Sequence, residues 1–230
     1  FVPFMYYFCE QKLVMENTKL AVVAFGGNAL LRAGQKGRVE EQAANVYTTC
    51  ESLLSLVKNG YNLVVSHGNG PQVGNILLQV DAGEKLYNIP EMPLDICGAY
   101  SQGFIGYLIE QQFKNVLVKN GLDKNIITLV TQVLVDENDK AFQNPTKPIG
   151  PYYTEEEKDA LKLKNPQDCF AKDPKGKGWR KIVASPKPID ISNKEIVERL
   201  SREGNIVVAV GGGGIPVFYP EKGRLQGIDA

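Results

Sequence analysis

The feature that most constrains this chain occurs three times: a short apolar run ending in clustered glycines. Leu20-Ala21-Val22-Val23-Ala24-Phe25 runs into Gly26-Gly27-Asn28. Leu63-Val64-Val65, with only Ser66 between, runs into His67-Gly68-Asn69-Gly70-Pro71-Gln72-Val73-Gly74. Ile206-Val207-Val208-Ala209-Val210 runs into Gly211-Gly212-Gly213-Gly214. Continuous apolar runs of this length, rich in valine and isoleucine, read as strands buried on both faces. Glycine directly after such a strand lets the backbone approach a ligand closely and turn its N–H groups inward. If the three strands are parallel, all three loops lie at the edge where open α/β sheets bind ligands, beyond the carboxyl ends of the strands. A single loop would carry little weight, but three in the same context point to one anion-binding site.

The connections fit that architecture. Val39, Ala43, Val46, Cys50, Leu53 and Val57 are spaced by four and three, which predicts one amphipathic helix stopped by Gly60. Strand, helix, strand in that order implies a right-handed parallel crossover. Helical material from about Gln72 pauses at Pro90 and Pro93, and a longer helix is predicted from about Asp95 to Asn120. Its small-residue stripe, Ala99, Gly103 and Gly106, reads first as core packing. Asn125 to Val135 reads as one strand.

From Asp136 to Pro188 the character changes: seven of the 13 prolines fall here, together with the sole tryptophan, Trp179. Thr154 and Glu157 form a capping box for one short helix, and Tyr152, Tyr153, Phe170 and Trp179 offer something to bury. The stretch reads as an inserted subdomain over the site. Ser192 and Glu195 suggest a second capping box, for a helix ending at Gly204, and a hairpin is expected through Gly223.

Composition narrows the partners. Lysine plus arginine total 26 and aspartate plus glutamate total 26, so there is no basic field to hold nucleic acid or an anionic membrane. No apolar run reaches the ~18 residues that span a bilayer. Cys9, Cys50, Cys97 and Cys169 are far apart and the chain has one histidine, which argues for reduced thiols in the cytoplasm and against a zinc site. Phe1 to Cys9 lacks a basic leader, and Met15 stands just before the first strand, so residues 1–14 read as an N-terminal extension or tag.

Phosphoryl transfer suits such a chain, because it depends on holding the phosphate in line and meeting its charge more than on acid–base groups. There is no G-x-x-x-x-G-K-[ST], and Gly68, Gly70 and Gly74 miss the dinucleotide spacing by one residue. No carboxylate or serine motif accompanies His67, which reads as a structural hydrogen-bonding group rather than a base. Asn28 and Asn69 serve either as amide donors or as turn formers. Lys147, in Asn144-Pro145-Thr146-Lys147-Pro148-Ile149-Gly150, sits in a proline-stiffened segment, although composition alone makes it a surface lysine.

Phe25-Gly26-Gly27-Asn28-Ala29-Leu30, His67 to Gly74, Asn144 to Gly150, Pro186-Lys187-Pro188 and Gly211-Gly212-Gly213-Gly214-Ile215-Pro216-Val217 together closely resemble the carbamate kinases, over about Met15 to Ala230. The resemblance implies the amino-acid kinase fold, a three-layer α/β/α sandwich with a mainly parallel central sheet, here residues 15–137 and 186–230, and an inserted lid subdomain at 138–185. It implies transfer of a phosphoryl group from carbamoyl phosphate to ADP, giving ATP and carbamate, as in energy generation from arginine by a cytoplasmic homodimer. Mg2+ would travel with the nucleotide, and no protein-ligated metal is expected. Gly26, Gly27, Asn28, Gly68, Asn69 and Gly70 would be carbamoyl phosphate donors. Gly211, Gly212, Gly213 and Gly214 would border the transferred phosphate, and Lys147 would be the catalytic lysine. Many members of the wider family carry a lysine just before the first glycine pair; Ala24 and Phe25 stand there instead. The family continues past the positions matching Gly227 to Ala230, so the nucleotide-binding part is expected to be absent from this sequence. That expectation motivates a second reading, a non-catalytic anion-binding or interaction module.

Overall fold

The structure is a computed structural model and describes residues 19–220 and 223–230; the expected extension at 1–14 lies outside the described residues. The first apolar run forms β1 (Leu20–Phe25), followed by a single helical turn, α1 (Gly27–Leu30). Two helices, α2 (Val39–Ser52) and α3 (Leu54–Lys58), replace the one expected between Gly37 and Gly60. They part at Leu53, whose φ of -87° and ψ of -8° relax the helix at a buried position. Val46, Cys50, Leu53 and Val57 still reach the core, whereas Val39 is half exposed. Polar anchors complete the first turns of α2: Asn45 Nδ2 donates to the Leu30 carbonyl and Gln42 Nε2 to that of Gly37, fixing the connection from α1.

The chain continues through β2 (Asn62–His67), α4 (Gly70–Tyr87) and α5 (Leu94–Lys119). The strand expected from Asn125 to Val135 is two, β3 (Ile126–Thr128) and β4 (Gln132–Val135). Beyond them come β5 (Lys147–Tyr153), α6 (Glu155–Lys164), β6 (Cys169–Lys172) and β7 (Trp179–Val183). The remainder is β8 (Pro188–Ile191), α7 (Lys194–Arg202), β9 (Ile206–Val208), β10 (Ile215–Phe218) and β11 (Gln226–Gly227). The expected Ser192 capping box is absent. Helix α7 is entered through Asn193 at a φ of 61°, without a side-chain cap, because asparagine tolerates the left-handed region that turns the chain out of β8.

Strands β1, β2, β9 and β3 pair in that order and all run parallel. Leu63, Val65, Ile206 and Val208 pack against α2 and α5 through Val46, Cys50, Ile105, Ile109, Phe113 and Val116, while α7 lies against β2 and β9. This gives the α/β/α layering. Both faces of β2 are therefore buried, as an uninterrupted apolar run requires. At edge strand β1, Val22 is 73% exposed. A second sheet, β11-β10-β4-β8, keeps β10 and β4 parallel and adds one antiparallel strand on each side.

Between the two sheets the chain bends at residues 129–131. Gln102, buried in α5, clasps the bend: Thr131 N donates to its Oε1 (2.8 Å), while its Nε2 donates to the Thr131 carbonyl (3.1 Å) and the Gly211 carbonyl (2.8 Å). Four residues along, a Cβ on Gly106 would overlap Thr128, so glycine is the residue that lets α5 ride on β3. That close approach offsets the ~1 kcal/mol which glycine costs inside a helix.

Strands β5, β7 and β6 form a separate antiparallel sheet. Tyr153 and Phe170 meet edge to face at 6.0 Å, and the Lys158 ammonium stands 4.3 Å from the Trp179 ring. The expected capping box starts α6, with Glu157 N donating to Thr154 Oγ1 and Thr154 N to Glu157 Oε2. At the far end of α6, Lys164 bridges Glu84 and Glu91, tying this sheet to the region of α4.

Replacing Gln102 with leucine keeps volume and deletes every bond of the clasp. The expected loss is on the order of 3 kcal/mol, from buried peptide groups left without a partner. It should appear as a lower urea midpoint at unchanged m-value. A loss under about 1 kcal/mol would place the hold on the bend elsewhere.

Candidate functional site

The parallel register brings the glycine loops to one end of the sheet, with Phe25 opposite His67 on the paired β1 and β2. Gly68 N donates to the Phe25 carbonyl at 3.0 Å, joining the first loop to the second. That bond already occupies the Gly68 N–H. Helix α4 starts two residues later. Pro71 fits its first turn because a proline there gives up an N–H that the helix does not use. The positive end of an 18-residue helix thus faces the loop cluster.

The third loop is a tight turn laid on the second. Val210, Gly212, Gly213 and Gly214 all have positive φ, at 55°, 67°, 93° and 90°. A β-branched residue in that region costs roughly 1–3 kcal/mol. Val210 is held there from both sides: Ser66 Oγ donates to its carbonyl and its own N–H donates to Thr131 Oγ1, each at 3.1 Å. A Cβ on Gly211 would enter the His67 ring, and one on Gly212 would enter the Asn69 side chain. The glycine run is therefore demanded by the neighbouring loop as well as by the turn's own dihedrals.

His67 is 4% exposed, and its Nδ1 lies 2.9 Å from the Gly68 carbonyl. A carbonyl only accepts, so Nδ1 carries the proton. Burial pushes the imidazole pKa below its usual value and favours the neutral ring, with the Gly68 bond opposing weakly. The ring acts as a spacer under Gly211, in keeping with the structural role read from the sequence. Asn69 has a φ of -142°, outside the left-handed turn region, and its Nδ2 donates to Ser101 Oγ at 2.8 Å.

A cleft of about 550 Å³ opens beside these loops. Among the expected site residues, Asn69, Gly70, Gly212, Gly214 and Lys147 line it. Gly26, Gly27, Gly68, Gly211 and Gly213 stand next to it without forming its wall, and Asn28 lies in the adjoining turn α1. The structure adds Lys36, Asp95, Tyr152 and Arg180 to the lining. Three basic side chains against one acidic one make the cleft a place for an anion. No motif surrounds Lys36, Asp95 or Arg180, and they come together from the α1–α2 connection, α5 and β7 only in the folded chain.

Lys147 opens β5, and its side chain still reaches solvent. The surrounding cleft nevertheless desolvates the ammonium enough to push its pKa below that of a free lysine. Among the described residues no group of three or more histidine, cysteine, aspartate or glutamate side chains could hold a metal ion. None of the described helices is long and apolar enough to cross a membrane.

The amino acid kinase family model matches residues 19–224. The chain belongs to the amino acid kinase family. The carbamate kinase of Pyrococcus furiosus is 48% identical over 212 residues, covering 92% of this chain and 67% of its own length. That of Trichomonas vaginalis is 47% identical over 210 residues, covering 91% and 66%. The structure of carbamate kinase from Giardia lamblia bound to AMP-PNP superposes with a TM-score of 0.85 at 43% identity, covering 93% of this chain and 66% of that one. The chain thus spans about two thirds of the length of these relatives. The family match agrees with the layered α/β/α architecture.

Proposed function

We propose that this chain transfers a phosphoryl group from carbamoyl phosphate to ADP, giving ATP and carbamate. The observation that carries the reading is the convergence of two glycine-bearing loops and Lys147 on one cleft. Carbamate kinases 43–48% identical to this chain support the choice of substrate. In the transfer, the bond from phosphorus to the carbamoyl oxygen breaks and a bond from phosphorus to a terminal ADP oxygen forms; carbamate leaves with the electron pair. Negative charge spreads over the three remaining phosphoryl oxygens in the transition state.

The α4 N-terminus and the backbone at Asn69 and Gly70 meet the anionic substrate, with Gly26, Gly27 and Asn28 completing that side. Gly68 fixes the joint between the two loops through its bond to the Phe25 carbonyl. Gly211 to Gly214 border the phosphoryl group from the other side, and Lys147 supplies a mobile cation to its oxygens. Segment 138–185 acts as a lid that carries Lys147 into place. Mg2+ would arrive on the nucleotide and neutralise its phosphates. A cytoplasmic setting in arginine breakdown agrees with the reading.

We also propose that the protein is a homodimer. Ile96, Tyr100, Gly103 and Tyr107, spaced by four, three and four along α5, leave an exposed apolar stripe. Sedimentation velocity should give a concentration-dependent dimer, and a monomer at all concentrations would remove this assignment.

The catalytic test follows ATP formation from carbamoyl phosphate and ADP. Lys147→Ala should lower turnover on the order of a hundredfold or more, as for loss of a group that meets transition-state charge. Since burial lowers the Lys147 pKa, the wild-type rate should fall on the alkaline side at a pH below 10.5, the ordinary lysine value. Lys147→Arg, which stays protonated, should retain part of the rate and move that limb upward. Near-normal turnover in Lys147→Ala would remove Lys147 from the reaction.

A further inference from the structure

The reading above leaves the cleft's arginine without a task. Arg180 lies on β7, next to the strand that carries Lys147, and lines the cleft. Its position is fixed on two sides: Nη2 donates to the Gly150 carbonyl at 2.9 Å, and the guanidinium carbon lies 5.5 Å from the Tyr152 ring centroid. Its Nε is buried and has no hydrogen-bond partner. A buried guanidinium donor left unpaired is costly, and arginine cannot relieve the cost by losing its proton. Lys177 adds a second positive charge near the same ring, 5.7 Å from its centroid. Among the described side chains, the carboxylate on the cleft wall is Asp95, and it does not pair with Arg180.

We propose that Arg180 binds an oxyanion of the substrate, as a planar fork fixed before the substrate arrives, and is thereby an affinity-determining residue distinct from Lys147. A guanidinium offers parallel N–H groups that match the paired oxygens of a phosphate or a planar carbamate, which an ammonium cannot do. The main-chain bond and the aromatic stack hold the fork in place, so little ordering is left for the binding step. Lys147 is a point charge on a flexible stem and suits charge that develops during transfer. Arg180, pinned to the wall, suits charge already present on the bound substrate. Contact made equally in the ground state and the transition state lowers KM without changing kcat. This inference rests on the kinase reading for the substrate's name, but not for the anion.

The test uses the full chain and two readouts. In ATP formation, Arg180→Gln should raise KM for carbamoyl phosphate by about tenfold or more and leave kcat within about threefold. Arg180→Lys should restore only part of the affinity, because it keeps the charge and loses the fork. In a second arm, inorganic phosphate is titrated calorimetrically into wild type and Arg180→Gln, and weaker binding in the variant is expected. Unchanged KM and unchanged phosphate affinity would overturn the proposal, as would full restoration by lysine. Should Arg180→Gln fail to fold, the Arg180→Lys comparison carries the same decision. If wild type makes no ATP from carbamoyl phosphate yet phosphate binding still depends on Arg180, the kinase reading falls and this assignment stands.

Discussion

The structure depends on one close approach, the seating of the 210–214 turn on the loop that follows β2. Gly211 lies against the His67 ring and Gly212 against the Asn69 side chain, with no room for a Cβ on either. Such a contact holds only if both partners are rigid. Gln102 fixes the turn from α5 by accepting from Thr131 N and donating to the carbonyls of Thr131 and Gly211. Ser66 and Thr131 fix Val210 in a conformation that valine resists. These polar groups are buried or half-buried and paired, so they specify one arrangement instead of merely permitting it. The strain at Val210 is the local cost of bringing the two loops edge to edge.

From that contact the rest of the site follows in steps. The parallel β2 and β9 set the depth at which their loops emerge, and the bend at 129–131 turns β4 and β10 away from them. Helix α4 leaves from the middle loop and points its N-terminus at the cleft. The sheet β5-β7-β6, tied to α4 through Lys164, brings Lys147 and Arg180 to the cleft. Backbone donors thus come from the main layers and mobile or forked cations from the smaller sheet. That division fits the proposed transfer, which asks for precise placement on one side and charge on the other.

Much of this was legible in the letters because it follows from periodicity and turn chemistry. Ile206-Val207-Val208 and Leu63-Val64-Val65 read as doubly buried strands, and the glycines after them marked the edge where the loops gather. Thr154 and Glu157 announced the start of α6 through a purely local pair of hydrogen bonds. Long-range effects were hidden. The helix break at Leu53 and the split of β3 from β4 come from tertiary packing, and nothing in a glutamine at 102 betrays a clasp between segments 29 and 109 residues away. Ser192 had the right spacing for a cap, yet the turn out of β8 made Asn193 the entry residue. Arg180 carries no motif because its partners, Gly150 and Tyr152, meet it only through strand pairing.

The central claim is that separate turns act as one receptor for a small phosphorylated molecule. Backbone amide NMR of the 230-residue chain, titrated with carbamoyl phosphate, tests it most directly. The amides of Asn69, Gly70, Gly211 and Gly212 should shift together along a single binding curve, with Gly68 responding least because its N–H is held by Phe25. Shifts confined to one turn, or separate curves for the two loops, would contradict the account.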